Sequence, residues 1–185
     1  MNQETNYRVF TIPNIISFFR LLLLIPLCMH IWQDNLKVVS ILLVVVFISD
    51  YMDGYIARHF NQISELGKIL DPVGDKISFA VVLIVLYLKG SAPLWIVSLV
   101  IGRDLALFIS SIFVTRKYKQ VLPSNMVGKI TVNILSILVL AYIYDIKILE
   151  TIFTRLMVFF IVFSMYSYAK RYFTLKETGE LEKLS

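Results

Sequence analysis

The sequence predicts an all-α integral membrane protein, a bundle of six transmembrane helices, and three observations carry that reading. Hydrophobic residues make up 58% of the 185 residues and charged ones only 17%, too apolar for an ordinary soluble domain. Six separate stretches approach the roughly 20 mostly apolar residues that a spanning helix needs. Basic residues, finally, gather on one side of the alternating arrangement that six spans would make.

The stretches run from Ile15 to Gln33, Lys37 to Arg58, Pro72 to Lys89, Ala92 to Thr115, Met126 to Tyr144 and Ile148 to Tyr172. Asp34-Asn35, Gly90-Ser91-Ala92-Pro93, Leu122-Pro123-Ser124-Asn125 and Asp145-Ile146-Lys147 read as the short turns between them. Between the second and third, the polar segment His59 to Leu66 reads as a turn at the cytoplasmic interface. Residues 1–14, which mix Tyr7, Arg8 and Phe10 with apolar neighbours, suit an interfacial segment. The membrane domain then covers residues 15–175, and residues 176–185 form a polar cytoplasmic tail. The start of the chain lacks the basic, apolar and small-residue order of a removable signal peptide.

Of the 18 Lys and Arg residues, 14 fall on or toward the side of both termini and 4 on the other. With Arg20, Arg103 and Arg155 set aside as intramembrane, the split is 12 to 3 (14 − 2 against 4 − 1), which places both termini in the cytoplasm. The net charge of +5 is thus accounted for by topology and by attraction to anionic lipid, not by a nucleic-acid surface. The lone Cys28 excludes an internal disulfide and a thiolate metal site.

Against this background, Asp50, Asp53, Asp71 and Asp75 are anomalous. An acid at membrane depth costs about 2.5 to 3.5 kcal/mol on insertion scales, so four require a cation, water or a substrate. On a helix, Asp53, Gly54, Ala57 and Arg58 follow Asp50 at offsets of three, four, seven and eight, one face that joins carboxylates to residues almost without side chains. Gly67, Asp71 and Asp75 recur at offsets of four, with Gly74 and Ser78 beside them, and two such stripes facing each other would make a cavity open to the cytoplasm. Pro72 suits a first helical turn, where Asp71 serves either as a helix cap or as one of four ligands. Oxygen-only donors in this number suit hard cations such as Mg²⁺ or Mn²⁺, and four carboxylates can hold two of them against a pyrophosphate. Arg58 adds a positive fork for phosphate oxygens. His59 is out of phase with the acids and, like His30, reads as an interfacial residue.

The run Asp50-x-x-Asp53-Gly54-x-x-Ala57-Arg58, eight residues, then Gly67-x-x-x-Asp71-x-x-x-Asp75 resembles the signature of the CDP-alcohol phosphatidyltransferases at every fixed position. The likeness extends to Ile12-Pro13-Asn14, Arg20 and Pro26 upstream, and to Arg103 and Gly128-Lys129 downstream. It implies a six-helix membrane enzyme, usually a homodimer, that uses two divalent cations to move a phosphatidyl group from CDP-diacylglycerol to an alcohol. By the same resemblance Asp50, Asp53, Asp71 and Asp75 bind the metals and Asp75 doubles as general base. Gly54, Ala57, Arg58 and Gly67 contact the CDP moiety. The setting it implies is a bacterial cytoplasmic membrane, the active site facing inward.

The acceptor must be read from charges outside the signature. Arg103 and Lys129 together could bind a second phosphate near the metals, which favours a phosphate-bearing glycerol acceptor over serine or inositol. Phosphatidylglycerophosphate synthases, which take glycerol 3-phosphate, resemble this chain in the Ile-Pro-Asn start, the short length and the Gly-Lys pair. Arg103-Asp104 departs from their usual Arg-Glu, and that departure tilts toward the family's cardiolipin synthases, whose acceptor is phosphatidylglycerol. The balance favours glycerol 3-phosphate. An ion-coupled transporter would set its carboxylates near the midplane, and a membrane prenyltransferase would space them differently.

Overall fold

A computed structural model describes the backbone of residues 12–59, 65–118 and 126–178, and side chains over 18–49, 73–113 and 126–170. Among the described residues six helices follow one another: α1 (Ile12–Trp32), α2 (Leu36–His59), α3 (Glu65–Leu88), α4 (Leu94–Tyr118), α5 (Met126–Ile143) and α6 (Lys147–Thr178). The described residues contain no strand. The chain divides into two compact units, residues 1–90 with α1 to α3 and residues 91–185 with α4 to α6.

In the first unit α1 packs against both α2 and α3. Arg20, Leu24, Leu27 and Ile31 are buried at offsets of four, seven and eleven, one continuous face of a 3.6-residue helix. On α3 the same spacing runs through Asp75, Phe79, Val82 and Leu86, of which Val82 and Leu86 are buried. Among the described residues two ion pairs tie the helices, Arg20 to Asp75 and Lys89 to Asp34, and each partner lies 55 positions from the other. Equal offsets require α1 and α3 to run in the same direction. Since Arg20 and Asp34 are 14 residues apart, the ties are separated by about 21 Å at 1.5 Å per residue.

The turn residues foreseen from sequence act through backbone and side chain alike. Asp34 has φ 57° just past α1, where Asn35 N–H donates to the His30 carbonyl and Asp34 N–H to that of Ile31, closing a Schellman turn. Asn35 then caps α2, its side-chain oxygen accepting from Val38 N–H. Lys89 adds a bond from its ammonium to the same Ile31 carbonyl, a second donor to that oxygen at the end of α1. Asp145, at φ 55°, closes α5 in the same way, with Ile146 N–H on the Ala141 carbonyl. Gly90 supplies the positive φ of 84° between α3 and α4.

In the second unit α6 packs against both α4 and α5. Ile96, Val100 and Arg103 of α4, Ile134, Leu135 and Leu138 of α5, and Met157, Ile161 and Ser164 of α6 are buried. Tyr142 and Thr154 join α5 to α6 by a 3.1 Å hydrogen bond.

Among the described residues three helices are long and apolar enough to cross a membrane, over Leu94–Phe113, Met126–Ile143 and Lys147–Lys170. Shorter apolar helical runs cover Phe18–Trp32 and Leu36–Ser49. One expectation is corrected. α3 begins at Glu65, seven residues before Pro72, so Pro72 lies in the helix interior and Asp71 is not a helix cap. Hydropathy tracks the match to lipid, whereas helix length depends on backbone hydrogen bonds that polar residues also sustain. The same cause carries α1 back to Ile12, α4 on to Tyr118 and α6 on to Thr178, past the apolar windows. The opposite helix ends stay within two residues of the expected ones. The expected turn at residues 122–125, the interfacial residues 1–11 and the tail beyond 178 lie outside the described residues.

Candidate active site

Two unbroken helices carry the acidic signature. α2 runs through Asp50, Asp53, Gly54, Ala57 and Arg58, and α3 through Gly67, Asp71 and Asp75. Continuity matters because it keeps the phase: Asp50, Asp53, Gly54 and Ala57 share one face of α2, and Gly67, Asp71 and Asp75 one face of α3. Of the four acids, Asp75 is the one whose side chain is described; the side chains of residues 50–72, and with them the expected cavity between the stripes, lie outside the described residues.

The Asp75 side chain is half exposed, at 50%, and its Oδ1 accepts from Arg20 Nη1 at 2.6 Å. Arg20 is 7% exposed. The partners therefore differ in their demands, for the buried guanidinium requires an acid while the carboxylate could be satisfied by water. Next to this pair, Leu21 lies against Gly74, where an added Cβ would meet its Cδ2 at 3.9 Å, an ordinary contact. Ser78 Oγ donates to the Gly74 carbonyl at 2.8 Å and so turns its hydroxyl onto its own helix.

The sequence counts Arg20 among the basic residues and the family resemblance without giving it a place in the site. A signal was present: in phase with Leu24, Leu27 and Ile31, a charged residue interrupts the apolar face of α1. Its partner, 55 positions away, leaves no local trace.

Arg103 is buried to the same degree as Arg20, 7% exposed, and extends the Ile96–Val100 face of α4. Its Nη1 donates to Oδ1 of Asp104, its neighbour on the same helix, at 2.6 Å, while its Nε has no partner among the described residues. Lys129 is exposed in the first turn of α5. A cation there opposes the positive end of the helix dipole, an arrangement that a bound anion would relieve.

The donor chemistry fits the expected metals, since carboxylate oxygens on two helices are ligands for hard cations. No group of three or more acidic, His or Cys side chains is assembled among the described residues, which include only Asp75 of the four.

The sequence profile described as CDP-alcohol phosphatidyltransferase matches residues 10–167. The chain is 30% identical over 145 residues to the CDP-diacylglycerol–glycerol-3-phosphate 3-phosphatidyltransferase of Aquifex aeolicus, an alignment covering 75% of this chain and 81% of the relative. The protein of that name in Bacillus subtilis is 33% identical over 138 residues, covering 66% of this chain and 70% of the relative. The cardiolipin synthase (CMP-forming) of Streptomyces coelicolor is 34% identical over 139 residues, covering 69% and 63%.

Proposed function

The chain belongs to the CDP-alcohol phosphatidyltransferase family, and on that premise we propose that it transfers the phosphatidyl group of CDP-diacylglycerol to glycerol 3-phosphate, with release of CMP. The observation that carries the reading is the complete acidic signature on two continuous helices, with its last member, Asp75, half exposed and held by a buried arginine.

Asp50, Asp53, Asp71 and Asp75 would hold two divalent cations, Mg²⁺ or Mn²⁺, which when bound would supply positive charge against that of the pyrophosphate. Asp75 takes the proton of the acceptor hydroxyl as that oxygen bonds to the lipid-side phosphorus. The bond from this phosphorus to the bridging oxygen breaks, and the electron pair leaves with CMP. Arg58 binds phosphate oxygens as a fork, and Gly54, Ala57 and Gly67 let the CDP moiety approach the helix backbones. Arg103 and Lys129 take the phosphate of the acceptor, the first through a buried guanidinium whose Nε has no partner among the described residues, the second at a helix start.

The protein so read is an integral membrane enzyme, and the six helices serve as six spans with residues 1–14 at the interface and residues 176–185 as a polar tail. Both termini and the site face the cytoplasm of a bacterial cell, and two copies form a homodimer, as the family resemblance implies. The shared direction of α1 and α3 and the one-sided distribution of Lys and Arg support the alternation.

A second reading, transfer to phosphatidylglycerol to make cardiolipin, is favoured by Arg103-Asp104 and by the Streptomyces relative. The deciding experiment offers purified protein CDP-diacylglycerol with glycerol 3-phosphate, phosphatidylglycerol, serine and inositol phosphate in parallel. Phosphatidylglycerophosphate as the main product upholds the first reading, cardiolipin replaces it with the second, and no CMP release with any acceptor sinks both.

A further inference from the structure

We infer that Arg20 is a positioning residue for Asp75, fixing the orientation in which that carboxylate meets its metal; the inference rests on the reading of Asp75 as a metal ligand. Four observations lead to it. Arg20 is 7% exposed and occupies the packed face of α1 in phase with Leu24, Leu27 and Ile31. Its Nη1 reaches Asp75 Oδ1 at 2.6 Å. The neighbouring residues, Leu21 and Gly74, are themselves close, so the helices meet at this level. The second tie, Lys89 to Asp34 and to the Ile31 carbonyl, repeats the offset of 55, so both ties agree on one register between α1 and α3.

A packing role alone does not account for the choice of residue. An apolar side chain at position 20 would continue the buried stripe, and replacing a buried ion pair by apolar residues is often neutral or stabilising. The guanidinium is instead spent on a carboxylate that remains half accessible. Carboxylates that ligate metals are commonly oriented by hydrogen bonds from residues behind them, and loss of such a partner costs about 10- to 100-fold in metal affinity or activity. Arg20 has the geometry of that partner. Its planar fork also restricts carboxylate rotation in a way that the point charge of a lysine does not.

The test uses the full chain in lipid nanodiscs with Mn²⁺ as the probe and no substrate, the bound ion being measured by loss of the free Mn²⁺ electron paramagnetic resonance signal. Arg20→Met is expected to weaken Mn²⁺ binding about 10- to 100-fold, with Arg20→Lys falling between it and the wild type. In turnover, the apparent KM for Mn²⁺ should rise while that for CDP-diacylglycerol stays near the wild-type value. Should Arg20→Met not fold, Arg20→Gln is read the same way, with a thermal melt in the absence of metal as its control. Unchanged Mn²⁺ affinity in a variant whose melting temperature alone falls would overturn the inference, as would tighter binding, which would make Arg20 a competitor of the metal. Wild-type protein that binds no Mn²⁺ would overturn the metal reading of the site and this inference together. If the wild type binds Mn²⁺ and Asp75→Asn does not, while Arg20→Met equals the wild type, the inference alone fails.

Discussion

Nη1 of Arg20 on α1 donates to Oδ1 of Asp75 on α3 at 2.6 Å, joining a residue from the buried face of one helix to the last acid of the signature on another. The pair connects the packing of the first unit to its chemistry, and it separates two kinds of substitution.

Asp75→Asn keeps the size of the side chain and an acceptor oxygen for Arg20, but removes the base and a negative ligand. CMP release from labelled CDP-diacylglycerol should drop by about 100-fold or more, the range general-base catalysis supplies. Chelation of divalent cations should abolish the same signal, and added Mg²⁺ or Mn²⁺ should restore it. Wild-type turnover in the chelated protein would remove metals from the reading.

Lys129→Ala should leave kcat little changed and raise the KM for glycerol 3-phosphate about tenfold or more, because a hydrogen bond to a charged group contributes about 1.5 to 3 kcal/mol. The exposed position in the first turn of α5 makes a folding defect an unsuitable explanation for such a result. Unaltered kinetics would remove Lys129 from the acceptor site.

Lys89→Met should lower stability by about 1 kcal/mol, since the ammonium bonds the Ile31 carbonyl as well as Asp34. Asp34→Asn should cost less, its side chain being 73% exposed. Both variants should retain most of their activity, as read by thermal melts and CMP release side by side; a loss of Mn²⁺ affinity in Lys89→Met would show that the far tie also sets the site.

Gly74→Ala should fold and be equally or more stable, by up to about 1 kcal/mol, because alanine is the better helix former and its methyl meets Leu21 Cδ2 at an ordinary 3.9 Å. A lower melting temperature would mean that the Leu21 side chain cannot accept even this contact.

Much of this was legible in the sequence, and the parts that were not share a cause. Asp34, Gly90 and Asp145 announced turns because positive φ favours a few residue types. The acidic signature could be placed on helices because its offsets are helical. Helix ends on the polar side were less legible, as at Glu65, because apolar length measures the fit to lipid and not the reach of the backbone hydrogen bonds. Pro72 illustrates the limit: its ring suits a helix start, yet the chain tolerates it in the interior of α3. Arg103 was expected to take the acceptor phosphate together with Lys129; its ion pair with Asp104, the next residue on the same helix, was not foreseen. The pairing of Arg20 could not be read at all, since it depends on the register between α1 and α3.

That register restricts changes of length more than changes of residue. Deleting one residue of α3 between Asp75 and Lys89 would rotate everything beyond it by about 100° and draw it back by about 1.5 Å. Only one of the two ties could then survive, and the same holds for an insertion in α1 between Arg20 and Asp34. Protein engineering should therefore treat residues 20–34 and 75–89 as segments of fixed length, a pair of matched rulers whose markings may be rewritten but not shifted.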